Sequence, residues 1–118
     1  MGFLEVNEDV IEDGVHVLRV SGDVDFDVAP ELKQRIVGRV ESGDRKLIID
    51  LSAVGFIDST AIGVLVAALK RLRDAGGTLL VVCDNEDVRS IFATVGLESV
   101  IPLHRSDQDA FAALAHAG

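Results

Sequence analysis

Lys46 to Cys83 reads KLIIDLSAVGFIDSTAIGVLVAALKRLRDAGGTLLVVC, and this stretch decides the fold. Its ends, KLIIDL (Lys46–Leu51) and TLLVVC (Thr78–Cys83), are short continuous apolar runs. Strands look like this when a parallel sheet is covered on both faces. Between them Thr60 to Arg73 has the length and periodicity of a helix, closed by Gly76-Gly77. Strand, crossover helix and strand make a right-handed parallel unit.

The flanking segments extend the alternation. Phe3–Ile11 and Val15–Gly22 read as β-segments around Asp13-Gly14, a pair that tolerates the positive φ of a tight hairpin. Pro30 suits a first helical turn, Leu32, Ile36, Val37 and Val40 recur at helical spacing, and Gly43 ends that helix. EDVRSIFATV (Glu86–Val95) is a further helix stopped by Gly96, with Leu97 placed for the accompanying apolar contact. SVIPL (Ser99–Leu103) reads as a brief edge strand. Ser106 and Asp109 form a capping-box pattern before a last helix, Asp107–Ala115. The expected architecture is α/β: one domain over 1–118, a four- to five-stranded mixed sheet, an N-terminal β-hairpin and about four helices.

Composition narrows the function. The 118 residues carry a formal charge of −9 and are only 4% aromatic, without Trp or Tyr. A phosphate backbone or an anionic membrane surface is repelled by such a chain, so neither nucleic acid nor membrane is an expected partner. Cys83 is the single cysteine, which rules out an internal disulfide and reads as an inert core thiol. The N-terminus lacks a signal-peptide pattern and the longest apolar run is too short to span a bilayer, so a cytoplasmic location is expected.

In α/β sheets, sites form where strands end and helices begin. Two such junctions stand out: SGDVDFD after the second strand and GFIDST after the third. Asp23, Asp25 and Asp27 alternate like part of a calcium loop, but the glycine and distal glutamate it needs are missing, and no metal ligand set or cofactor motif is expected. A nucleophilic role for Ser59 needs a base, and none of His16, His104 and His116 has a triad pattern. A hydrolase is therefore disfavoured, and the chain reads as no enzyme.

Either Asp58 or Ser59 can cap the helix that follows. That helix is apolar on two sides. Ile62, Leu65, Val66, Leu69 and Leu72 make one face, and Ala61, Val64, Ala68 and the edge residue Gly63 make a smooth second one. A helix apolar all round is buried all round or presents a partner surface. Here a neighbouring helix or a protein partner could cover the second face. A phosphate on Ser59 would sit at the positive end of the helix, adding charge beside Asp58 without unfolding the domain.

FIDSTAIGVLVAALKRLRDAGGTLLVV resembles the signature of bacterial anti-sigma factor antagonists, the STAS-domain family. In that family an Asp-Ser-(Ser/Thr)-Gly-(Leu/Ile)-Gly segment opens the second helix, and its first serine accepts a phosphate. VSGDVDFDVAPEL is similar to the segment leading into the family's first helix, and FATVGLESVIPLHRSDQDAFAAL to its C-terminal third. The likeness covers about Val15 to Leu114, with Ala61 where glycine is usual. It implies partner switching. An unphosphorylated antagonist binds an anti-sigma factor that is also a serine kinase and so frees the sigma factor. Phosphorylation by that kinase, with ATP the kinase holds, ends the association, and a phosphoserine phosphatase resets it. By position Ser59 is the implied phosphoacceptor, with Thr60 as rival. Asp23, Asp25, Asp58, Thr60, Ala61, Gly63 and Val64 make up the expected contact surface. The alternative is a non-switching STAS interaction subunit of a stress-signalling or lipid-transport complex.

Overall fold

A computed structural model describes residues 4–11, 14–97 and 99–117, with side chains up to Leu114. The order is β1 (Glu5–Ile11), β2 (Val15–Val24), α1 (Ala29–Glu41), β3 (Lys46–Ile57), α2 (Ser59–Asp74), β4 (Thr78–Val82), α3 (Glu86–Thr94), β5 (Leu103–His104) and α4 (Asp107–Ala117). The five strands lie in sequence order; β1 is antiparallel to β2 and every other pairing is parallel. The mixed sheet, the hairpin and the four helices are as expected. Phe3 and Asp13 lie outside the described residues, while Gly14 has the positive φ of 72° that the hairpin turn requires.

Each helix starts and stops for a local reason. Pro30 stands in the first turn of α1, where its missing N–H costs nothing, and Ala29, Leu32, Ile36 and Val40 are buried. Asn85 caps α3 by accepting from the Asp87 N–H at 2.9 Å. Gly96 turns to φ 73° and Leu97 N–H reaches back to the Phe92 carbonyl at 3.0 Å, the six-to-one bond of a glycine C-cap. Ser106 Oγ accepts from the Asp109 N–H at 3.1 Å to start α4.

Two cores sandwich the sheet. Leu18, Leu47, Ile49, Leu51 and Val81 pack with Leu32 and Ile36 of α1, Leu65 and Leu69 of α2, and Phe92 of α3. On the other face Val15, Val17, Ile48, Leu80 and Val82 pack under Ala110 and Leu114 of α4. Arg19 pins the first turn of α4 to the sheet, donating to Asp50 at 2.9 Å and also to Asp107. Cys83 is buried, and burial pushes its thiol pKa up, which fits an unreactive core residue.

Three expectations need correction. β3 does not stop at Leu51 but runs through Gly55 to Ile57. Its register against β2 slips by one residue between Arg19 and Ser21 and again between Gly22 and Asp23. Each slip inserts an extra β3 residue, a bulge, so the core-facing side chains Leu51, Val54 and Ile57 fall three apart instead of two. That spacing hides a strand from a period-two reading. β2 likewise extends to Val24, so Asp23 stands in a strand rather than a loop. Finally β5 is Leu103–His104, not Ser99–Leu103, because Val100 and Ile101 donate back to the Leu97 carbonyl in a turn.

One polar cluster sits away from this sheet end. His16 is nearly buried, with Nε2 at 3.0 Å from Glu8 Oε1 and Nδ1 at 3.6 Å from Asp44 Oδ2. Arg35 and Arg39 of α1 also reach Glu8. Partial burial opposes ionisation of Glu8, but hydrogen bonds from His16 and Arg35 and the charges of Arg39 and Arg35 outweigh it, so its pKa falls below the ordinary 4.5. A lowered folded-state pKa stabilises at pH above the unfolded value, and the gain is lost as pH falls through the folded value. Glu8→Gln is expected to lower the melting temperature at pH 7 and to approach wild type as the pH falls through the lowered Glu8 value. A deficit of equal size at both ends of that range in calorimetry would show that the carboxylate charge is not the cause.

Candidate functional site

The carboxyl ends of β2 and β3 launch α1 and α2, and an aspartate stands at each junction. Asp25 organises the turn into α1. Its Oδ1 accepts from the N–H groups of Asp27 at 3.0 Å and Val28 at 3.4 Å, and its carbonyl accepts from Ala29 at 2.9 Å. Asp58 is the N-cap of α2, extended at ψ 176°, with Oδ1 accepting from the Ala61 N–H at 2.9 Å. The two starts are tied together where the Asp58 N–H donates to the Val24 carbonyl at 3.2 Å.

Ser59 is therefore not the cap. It is the first residue of α2, exposed, and its hydroxyl makes no hydrogen bond among the described residues. Thr60 follows, also exposed. At these positions the backbone N–H groups have no partner inside the helix, and the helix dipole presents its positive end. An exposed hydroxyl with no structural duty, at a place that favours anions, is what phosphorylation without unfolding requires. A nucleophile would need a base instead. His16 is held by Glu8 and Asp44, and neither it nor His104 bonds Ser59; the His116 side chain lies outside the described set.

The structure gathers Asp23, Asp25, Asp58, Ser59 and Thr60 at one end of the sheet. Asp23 is exposed and pairs in register with Phe56. Ala61 requires a correction: it is 0% exposed, so its methyl packs inside and cannot touch a partner. Ala68 is buried too, because α1 lies against much of the smooth face of α2. Of the two coverings considered for that face, the neighbouring helix accounts for Ala68. Gly63 remains exposed and Val64 half-buried. Further along, Val64, Ala67 and Ala68 meet Ile36 and Val37 of α1 across a groove of about 440 Å³.

The carboxylates at this end differ in what they support. Asp23→Lys is expected to leave the melting temperature unchanged, since the side chain is exposed and forms no hydrogen bond among the described residues, whereas Asp25→Lys removes the two turn bonds and costs about 1 kcal/mol. Asp25→Asn keeps an acceptor oxygen and should recover most of that loss in thermal denaturation. Equal melting of Asp25→Lys and Asp23→Lys would deny the turn its role.

The sequence reading missed Phe26 and Phe56, which are 65% and 46% exposed beside these aspartates. No signal in the chain marked them: Val24, Phe26 and Val28 alternate with Asp25 and Asp27 as a buried strand face would, but the strand ends at Val24 and only the two valines are buried.

Residues 8–110 match the family model of the STAS domain. The chain is 29% identical over 101 residues to BtrV of Bordetella bronchiseptica, a candidate anti-sigma factor antagonist, covering 86% of this chain and 87% of that one. It is 25% identical over 101 residues to the anti-sigma-B factor antagonist of Staphylococcus epidermidis, covering 86% and 94%. The crystal structure of an anti-sigma factor antagonist from Mycobacterium paratuberculosis superposes with a TM-score of 0.85 at 33% identity, over 94% of this chain and 93% of that one. With the match spanning the sheet, the helices and the Asp58-Ser59-Thr60 helix start, the chain belongs to the STAS domain family.

Proposed function

We infer that this chain is an anti-sigma factor antagonist whose binding face is switched off by phosphorylation of Ser59. The relatives named for that role support the first half. The observation that carries the second is the spare hydroxyl: Asp58 does the capping, so Ser59 is free to be modified. The unphosphorylated form binds an anti-sigma factor that is also a serine kinase, and the sigma factor is released. Asp23, Asp25, Asp58, Thr60, Gly63 and Val64 surround the acceptor and form the contact face. The chain itself catalyses nothing in this scheme; the kinase brings ATP, and a phosphatase restores the hydroxyl.

The phosphate acts at the interface rather than on the fold. It adds roughly −1.5 to −2 of charge and three strongly hydrated oxygens beside the small apolar edge of α2. During transfer the kinase must hold its nucleotide phosphates opposite Ser59, so the product faces like charge across the contact. The test is to incubate the chain with each purified anti-sigma factor of the source organism and ATP, and to map any phosphate by peptide mass. Label at Ser59 together with loss of the complex supports the reading. A complex that persists after stoichiometric phosphorylation would sink the switch.

A further inference from the structure

β2 and β3 outrun the rest of the sheet. β1 pairs with β2 no further than Ser21, and β4 with β3 no further than Asp50, yet β2 and β3 stay paired to Val24 and Ile57. The result is a two-stranded ribbon whose tip leads into the helix bearing Ser59. One face of the ribbon is core, with Val24, Val54 and Ile57 all buried. Alternation along each strand sends Asp23 and Phe56 to the opposite face. The cluster under α4 covers that side only at the level of Ile48 and Val82, and the Arg19–Asp50–Asp107 group marks its upper limit. Above it Phe56 is 46% exposed, and Phe26, in the turn after β2, is 65% exposed.

Single exposed apolar residues are ordinary on a protein surface. Two exposed aromatic rings, one in register with Asp23 and one three residues after it, are less so in a chain with five Phe and no Trp or Tyr. Around them stand the carboxylates of Asp23, Asp25, Asp27 and Asp58, none of which forms a salt bridge among the described residues. An apolar centre inside a polar rim is the anatomy of a protein-binding patch, and aromatic residues are its commonest anchors. The unpaired negative rim selects the occupant. A second copy of this chain would oppose carboxylate to carboxylate, and an anionic lipid surface is repelled for the same reason.

We propose that Phe26 and Phe56 are the apolar anchors by which the anti-sigma factor holds this chain, seated in pockets that the partner borders with Arg or Lys. This rests on the functional reading above and adds where the grip lies: on the ribbon, next to the acceptor but not on the helix alone. The grip and the switch are then separate parts of one contact. The rings and carboxylates supply attraction, and the phosphate at Ser59 spoils the adjoining fit.

The experiment is calorimetric titration of purified anti-sigma factors of the source organism with wild type, Phe26→Ser, Phe56→Ser, the double variant and Val10→Ser. Val10 is as exposed, at 62%, but pairs with His16 at the far end of the sheet and serves as control. Each Phe variant is expected to melt like wild type and to bind at least about tenfold more weakly, the double variant more weakly still, with Val10→Ser within about twofold of wild type. A double variant that binds as tightly as wild type overturns the anchors and leaves the functional reading standing. Equal weakening by Val10→Ser, or wild-type self-association that the double variant abolishes, also overturns the anchors. Wild type that binds no anti-sigma factor overturns both.

Discussion

Ser59→Ala is expected to abolish phosphate incorporation while leaving both the fold and partner binding intact. The expectation of an intact fold follows from the cap. Asp58, not Ser59, accepts the N–H of the first turn, and the Ser59 hydroxyl bonds nothing among the described residues. Alanine is also the better helix former, so the stability change should stay within about 0.5 kcal/mol. Asp58→Ala, by contrast, should cost about 1 kcal/mol. Partner binding should survive because only one hydroxyl is lost from the contact.

The same site sets the size of the switch. A hundredfold loss of affinity on phosphorylation needs only about 2.8 kcal/mol of differential interaction. Desolvating a dianion at a tight contact and opposing it to bound nucleotide can supply that. Ser59→Asp should weaken binding less, since one carboxylate carries about half the charge and no tetrahedral oxygens. Thr60 is exposed one residue later, so the label must be located rather than counted. Labelling of Ser59→Ala at Thr60 to the wild-type extent would move the site by one residue. Absence of phosphate on either residue from every kinase that binds would leave a plain interaction module.

How much of this was legible depended on whether periodicity survived. The parallel core was plain because Leu47 to Ile49 and Leu79 to Val82 are short unbroken apolar runs, the pattern of strands covered on both faces. The helix of the acceptor was equally plain, with Ile62, Leu65, Leu69 and Leu72 at regular spacing. The ribbon was not. Its two bulges set Leu51, Val54 and Ile57 at a three-residue repeat, interrupted by Ser52 and Gly55, and so it resembled a loop. That one misreading also placed Asp23 in a loop and left Phe56 unnoticed. The capping choice between Asp58 and Ser59 was undecidable from composition, since either residue type can do it; the backbone decides, because Asp58 is the extended residue.

Gly77→Ala is expected to destabilise the domain by about 2 kcal/mol or more, and clearly more than Gly76→Ala. As a sequence the pair reads as one helix stop, but the two glycines have different tasks. Gly76 has φ 85°, where a side chain is strained, yet nothing lies within 4 Å of the position a Cβ would take. Its replacement should cost about 1 kcal/mol, the ordinary penalty for the left-handed region. Gly77 has no such φ, but a Cβ there would stand 2.4 Å from the Arg45 carbonyl oxygen and 3.0 Å from its carbon. Those are backbone atoms and cannot swing away. The same carbonyl accepts the Thr78 N–H at 2.8 Å, and Lys46 and Thr78 are the first register partners of β3 and β4. Relieving the overlap therefore means parting the two central strands where they enter the sheet, with the penalty of an overpacked core and a weakened ladder bond. In a domain of this size 2 kcal/mol lowers the melting temperature by roughly 10 °C. Gly77→Ala melting at or above Gly76→Ala would mean that the strands part at little cost, and that the contact with Arg45 does not set their register.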